Sequence, residues 1–206
     1  MNSAETNWHT LGMSIRAQQR EQTRTALLTE ARRRFAADGY HAVVLEDVAK
    51  AIGATKGAAY HHFGSKQGLF TAVVRAAQTE LGERVAHAAD AMADPWDSLL
   101  AGCRAFMAAG SDPGIRRVVL EDAPAVLGWN EWRAMDESAS VTHLTEALAE
   151  LMDAGLLRRV PLPALSRLLS GAMNEAALWL AQEPSPDGLD ECVAVLEGLL
   201  AGLRTG

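Results

Sequence analysis

The chain has 206 residues, 49% hydrophobic and 22% charged, with a formal net charge of −7. At roughly 150 residues per domain this is one domain, or a small one attached to a larger. No apolar run nears the ~20 residues of a membrane span, and the opening MNSAETNWHTLGMSIRAQQR lacks the apolar core of a secretory signal.

The charge is uneven. Residues 1–66 hold nine Lys/Arg against six Asp/Glu, and residues 67–206 hold ten against twenty. A basic head on an acidic body suits a polyanion only at the head. Cys103 and Cys192 stand far apart and fit no metal spacing. The expectation is a reduced, cytoplasmic protein with buried thiols.

In chain order, the first dozen residues fit no apolar period, and residues 1–20 are read as a flexible tail, in which Met13 is a possible alternative start. Arg16 and Arg20 there are a candidate basic arm for a minor groove or a solvated tail. From Glu21 to Asp38, Leu27, Leu28, Ala31 and Phe35 recur at helical spacing, and Gly39 is a natural stop. A short helix over Leu45–Ile52 ends at Gly53, and Thr55 can cap a third over Lys56–Phe63. Gly64 stops that one, and Ser65 can cap a fourth, reaching about Ala89.

In the body, Asp94-Pro95-Trp96 opens a helix to about Ala109. Short helices follow over Ile115–Asp122, from Pro124, and over Trp129–Glu137. Three longer ones end near Gly155, at the Pro184–Pro186 turn and near Leu203. With no alternating β-branched run, the fold class is all-α. The expected domains are the tail 1–20, a helix-turn-helix domain 21–66 and a larger helical domain 67–206, divided inside the fourth helix.

Two short helices joined at Gly53-Ala54 make a helix-turn-helix. At 100° per residue, Lys56, Gly57, Tyr60 and His61 share one face of the third helix, while Ala58, Ala59 and Phe63 share the packing face. Glycine inside a helix costs about 1 kcal/mol relative to alanine, so Gly57 needs a reason, and close approach to a DNA groove is one. Lys56 can reach a guanine edge or a phosphate. Tyr60, His61 and His62 can donate to phosphates, contacts that fix register, and Lys66 with the N–H groups after Ser65 offers a second phosphate clamp. Adjacent His61 and His62 raise a metal reading, but no Cys, Asp or Glu stands at a supporting spacing.

As a set, Ala31…Phe35…Gly39-Tyr40, Asp47-Val48-Ala49…Gly53, Lys56-Gly57…Tyr60-His61-His62-Phe63 and Ser65-Lys66…Leu69 resemble the DNA-binding domain of the TetR family of bacterial transcriptional regulators. The resemblance implies a homodimer on a palindromic double-stranded operator, repression relieved by a small effector, and a ligand-binding and dimerisation domain after the head. It maps base or backbone contact onto Thr55, Lys56, Tyr60 and His61, and phosphate contact onto His62 and Lys66. The chain departs from the family at Val43, Val44 and Leu45, where a hydroxyl often caps the second helix and touches a phosphate. The stretch Val119–Trp129, with Asn174–Trp179, resembles the C-terminal domain of one subgroup.

For dimerisation the helices 162–183 and 187–204 are favoured over 140–155, with Gly171, Ala172, Ala176 and Ala177 permitting close approach. Candidate effector residues, chosen by type, are Trp96, Phe106, Met107, Trp129, Trp132, Met135, Met173, Asn174, Glu175 and Trp179. They suit an apolar or aromatic molecule, and Asn174 or Glu175 can receive an indole N–H. Core packing is the competing role for each, and Glu121, Asp122 or Glu175 facing a cation is another. No catalytic residue, cofactor or metal is expected. The alternatives carried forward are an all-α enzyme bearing a helix-turn-helix, for which His87 and His143 are the only histidines in the body, and an activator without an effector.

Overall fold

A computed structural model describes the backbone of residues 4–205 and the side chains of residues 16–205. The chain divides into two compact units, Met1–Val73 and Val74–Gly206, and the division falls inside a helix. Residues 1–3 of the expected tail, and the side chains up to Ile15, lie outside the described residues. From Ala4 onward the tail stretch has helical backbone.

In the first unit, α1 spans Ala4–Ala42 and is broken at Gly39, where φ is 77° and ψ 166°. Then come α2 (Leu45–Ala51), α3 (Lys56–Phe63) and the start of α4 (Lys66–Asp90). Leu27, Ala31 and Phe35, four residues apart on one face of α1, are fully buried with Val48, Ala59, Leu69 and Phe70. Phe35 meets Phe70 edge-on with ring centroids 5.0 Å apart, and Tyr40 lies 4.9 Å from Phe70. Such pairs add about 0.5–1.5 kcal/mol each beyond their burial. Positive φ at Gly53 (70°) and Gly64 (73°) ends α2 and α3, a conformation closed to most side chains. Packing of α1, α2 and the start of α4 around this aromatic centre fixes the orientation of α3.

The second unit continues α4 into α5 (Pro95–Ala108), α6 (Pro113–Ile115), α7 (Ala123–Leu127), α8 (Trp129–Asp136), α9 (Thr142–Asp153), α10 (Leu162–Gln182) and α11 (Gly188–Ala201). The Asp94 carboxylate accepts from the Trp96 and Asp97 N–H groups at 2.9 and 3.1 Å, with Pro95 at the first helical position. No strand occurs among the described residues, only one isolated bridge between Leu157 and Arg204.

Two segments depart from the straight helices expected. Arg116–Asp122 and Glu137–Val141 are wide π-helical turns. Pro124 offers no N–H to the Leu120 carbonyl and crowds it, which accounts for the first. In the second, the Ser138 and Thr142 hydroxyls donate to the Met135 and Glu137 carbonyls at 2.8 Å each, and the Thr142 N–H donates to the same Glu137 carbonyl five residues back, the bond of a wide turn. Ala177, expected to let a partner helix approach, is instead fully buried inside its own unit. The backbone of Gly110 packs on it so closely that a Cβ there would lie 2.4 Å from the Ala177 carbonyl oxygen.

Candidate nucleic-acid interface and a cavity in the second unit

The candidate DNA-reading face is positioned by the cap of α3. The Thr55 hydroxyl oxygen accepts from the Ala58 N–H at 3.1 Å, an interaction that typically contributes about 1 kcal/mol. With the start fixed and Ala59 fully buried, Lys56, Gly57, Tyr60 and His61 lie together on the exposed side. A Cβ at Gly57 would meet only the Thr55 hydroxyl, at 3.9 Å, so nothing among the described residues calls for glycine there.

Lys66 and His62 sit differently. The Lys66 ammonium donates to the His41 carbonyl at 3.1 Å and lies 4.4 Å above the Tyr40 ring. Its charge is therefore held beside the end of α1, and Ser65 caps α4 next to it by accepting from the Gly68 N–H at 3.0 Å. His62 is half-buried, 6.0 Å from the Phe63 ring, and Arg24 lies 5.8 Å over that ring. Burial first, then the charges of His61, Arg20 and Arg24, push the His62 imidazole below its ordinary value, while Glu21 opposes them. Arg16 and Arg20 are exposed on α1. Val44 precedes α2 with extended backbone and makes no side-chain cap.

One residue on this face escaped the sequence reading. Glu46, in the first turn of α2, places its Oε1 2.7 Å from the Lys56 ammonium and accepts from the Tyr60 hydroxyl at 3.2 Å. Periodicity within α3 holds no signal for it. Only the crossing of α2 and α3 brings residues ten and fourteen positions apart together.

The second unit holds a half-open cavity of about 170 Å³. Its apolar wall includes Val85, Leu99, Phe106, Leu144 and Met173, drawn from α4, α5, α9 and α10. Ser140 and Ser170 are the buried hydroxyls of its lining, and the Ser140 Oγ has no hydrogen-bond partner among the described residues. Asp90, His143, Glu146 and Glu150 supply exposed polar groups, and no Lys or Arg lines the cavity. Ser170 leads to a buried ion pair. Arg133 donates to it at 3.1 Å and to Asp136 at 2.9 Å, and burial pushes the Asp136 carboxyl up despite that arginine. The Cys103 thiol, also in the wall, is pushed up to about 12 by burial and is unreactive.

Of the ten effector candidates, Phe106 and Met173 line this cavity. Met107, Met173 and Trp179 line a shallow groove with Val195 and Leu199, and Met135 lines a separate hollow. Trp96, Trp129, Trp132, Asn174 and Glu175 stand outside all three. The indole partners are also not the ones expected. Trp132 donates to the Val119 carbonyl at 2.8 Å and Trp179 to Glu183 at 3.1 Å, while the Trp96 ring packs 4.5 Å from Arg204. Trp129 is 63% exposed.

Comparison with known proteins matches both units. Residues 27–73 match the family described as bacterial regulatory proteins, tetR family, and residues 96–203 match the tetracyclin repressor-like C-terminal domain. The HTH-type transcriptional repressor AcnR of Corynebacterium efficiens is 27% identical over 177 residues, 85% of this chain and 90% of that protein. The transposon Tn10 TetC protein of Escherichia coli is 22% identical over 88% of this chain and 92% of its own. Among solved structures, a TetR-family transcriptional regulator from Pectobacterium atrosepticum superposes with a TM-score of 0.75 at 36% identity, covering 91% of this chain and 97% of that one.

Proposed function

The chain belongs to the TetR family of bacterial regulatory proteins, a ligand-responsive DNA-binding transcription regulator, and from that premise we propose that it binds a palindromic operator as a homodimer and releases it when a small apolar or aromatic molecule enters the second unit. One observation carries this reading: Lys56, Gly57, Tyr60 and His61 form an exposed face on a capped, well-packed helix, with no close neighbour at the glycine. Thr55, Lys56, Gly57, Tyr60 and His61 meet the major groove, and His62 and Lys66 meet phosphates. No helix among the described residues is long and apolar enough to cross a membrane, which fits action in the cytoplasm. The relatives being regulators favours a protein without catalytic activity.

The dimer uses α10 and α11. Leu168, Trp179, Val195 and Leu199 are exposed there, and Gly171 and Gly198 have open space where a Cβ would stand. By contrast Leu144, Leu148, Leu151 and Met152 of α9 are spent on their own core. The effector site is the cavity, whose only charged groups are acidic apart from His143. That favours a neutral or cationic molecule over an anion. Val85, Ala86 and Ala89 of α4 line the cavity, while Leu69 and Phe70 of α4 belong to the first unit's core. Filling the cavity shifts α4 and spoils the spacing of two recognition helices, which must dock about one helical turn apart. The coupling expected is about 1–3 kcal/mol.

Selection from a random duplex library tests the reading. The enriched sequence should be a palindrome whose half-sites lie about one turn apart, and enrichment of no duplex, or of an asymmetric one, overturns it.

A further inference from the structure

The face that meets DNA carries a carboxylate, and its position gives it a role. We propose that Glu46 is a specificity-determining residue: it occupies Lys56 and Tyr60 when no operator is bound and thereby weakens binding to arbitrary DNA. The inference rests on α3 being the DNA-reading helix.

Three groups form a closed set across two helices. The Glu46 carboxylate touches the Lys56 ammonium at 2.7 Å and the Tyr60 hydroxyl at 3.2 Å. The ammonium lies 5.5 Å from the Tyr60 ring centroid. Lys56 is the only Lys or Arg on α3, and the pair it makes with Glu46 has no net charge. Lys66, the next lysine along the chain, already serves the His41 carbonyl. Lys56 also holds the Glu46 carboxyl below the usual carboxylate range, so it is ionised at neutral pH.

Binding to arbitrary DNA is driven by cations that replace the counterions on phosphates. A lysine held by a carboxylate replaces none, and the carboxylate itself repels phosphate within the screening length of about 8–10 Å. The exposed Lys56–Glu46 pair is a weak one that water and salt loosen readily. A base edge of correct geometry therefore recruits Lys56 and Tyr60 easily, whereas a lone phosphate gains little over what Glu46 already supplies. The carboxylate thus acts more strongly against wrong sites than against the right one.

The test compares full-length wild type and Glu46→Gln on the selected operator and on a random-sequence duplex of equal length, across a salt series. Random-sequence affinity should rise about three- to tenfold, and its log–log salt slope should steepen by about 0.9 for each lysine freed. Operator affinity should change less, so that the specificity ratio falls. Unchanged random-sequence affinity overturns the proposal. So does lost operator affinity with random-sequence affinity held, the signature of a carboxylate that reads a cytosine or aims Lys56. In Glu46→Gln/Lys56→Gln the steeper slope should vanish, and its persistence would show that Glu46 does not act through Lys56. Should Glu46→Gln lose its cooperative melting, Lys56→Gln alone decides: random-sequence affinity should hardly fall, and a full loss of one phosphate contact overturns the idea. A wild-type chain that selects no duplex sinks the DNA reading itself, whereas an operator-binding wild type with an unaltered ratio in the variant sinks only the role of Glu46.

Discussion

Gly57 in the first unit and Gly110 in the second have opposite surroundings. A Cβ at Gly110 would stand 2.4 Å from the Ala177 carbonyl oxygen and 2.9 Å from the Ala177 Cβ, whereas at Gly57 it would meet one hydroxyl at 3.9 Å. The chain's own packing explains Gly110 and leaves Gly57 unexplained. The aromatic residues divide the same way. Trp132 is buried with its N–H given to a carbonyl of its own unit, while Tyr60 is 40% exposed on the helix face away from the core. In the second unit a residue's type is mostly settled by its neighbours in the fold. On the outer face of α3, at Gly57, those neighbours leave it open.

The largest effect that can break this contrast is on DNA binding. Tyr60→Ala or His61→Ala should lower operator affinity by about a hundredfold, since one contact contributes about 1–3 kcal/mol and a dimer loses it twice. Melting temperature and oligomeric state should not move. Gel-shift titration with unaltered affinity would remove these residues from the interface. Next in size is Gly110→Ala, where the new methyl group has no room. Overpacking of this kind costs about 1–3 kcal/mol, read as a lower urea midpoint, and a wild-type midpoint would show that the Gly110–Ala177 contact is loose. Gly57→Ala should do the reverse. The free protein should gain up to about 1 kcal/mol from the better helix former while operator affinity drops. A variant that gains stability and keeps its affinity would refute close approach as the reason for the glycine.

The same contrast explains what could be read from sequence. The ends of α2 and α3 were legible because Gly53, Gly64 and the Thr55 hydroxyl act within a few residues of themselves. The face of α3 was legible because neighbours on one helix are set by its period alone. Glu46 was not, since its bonds to Lys56 and Tyr60 depend on how two helices cross. The cavity depends on four helices at once. Trp and Met were sensible candidates by type, yet most of the tryptophans went to packing or surface positions, and Val85, Leu99, Ser140 and Leu144 line the space instead. The wide turn at Arg116–Asp122 left only Pro124 as a clue, because apolar spacing over a single turn cannot separate 3.6 residues from a wider winding.

The smallest effect concerns His62, which stands at the border between the two regimes: its ring is half-buried beside Phe63, yet it adjoins the exposed face of α3. Burial and the charges of His61, Arg20 and Arg24 lower its folded-state value, with Glu21 opposing. The unfolded chain, with an ordinary imidazole near pH 6.5, therefore takes up the proton more readily than the folded one. The stability this group contributes is present in full above about pH 6.5 and is lost as the pH falls through the folded value. A phosphate placed beside the ring acts in the opposite direction, because a nearby negative charge favours the imidazolium. From pH 7 to pH 5.5 the free protein should thus lose stability while operator affinity rises, by about two- to fivefold. His62→Gln should flatten both slopes together. If it flattens the stability slope alone, His62 belongs with the packing residues and its phosphate contact is refuted. If it flattens neither, the ring does not titrate in this range, and the border between core and interface lies at His61.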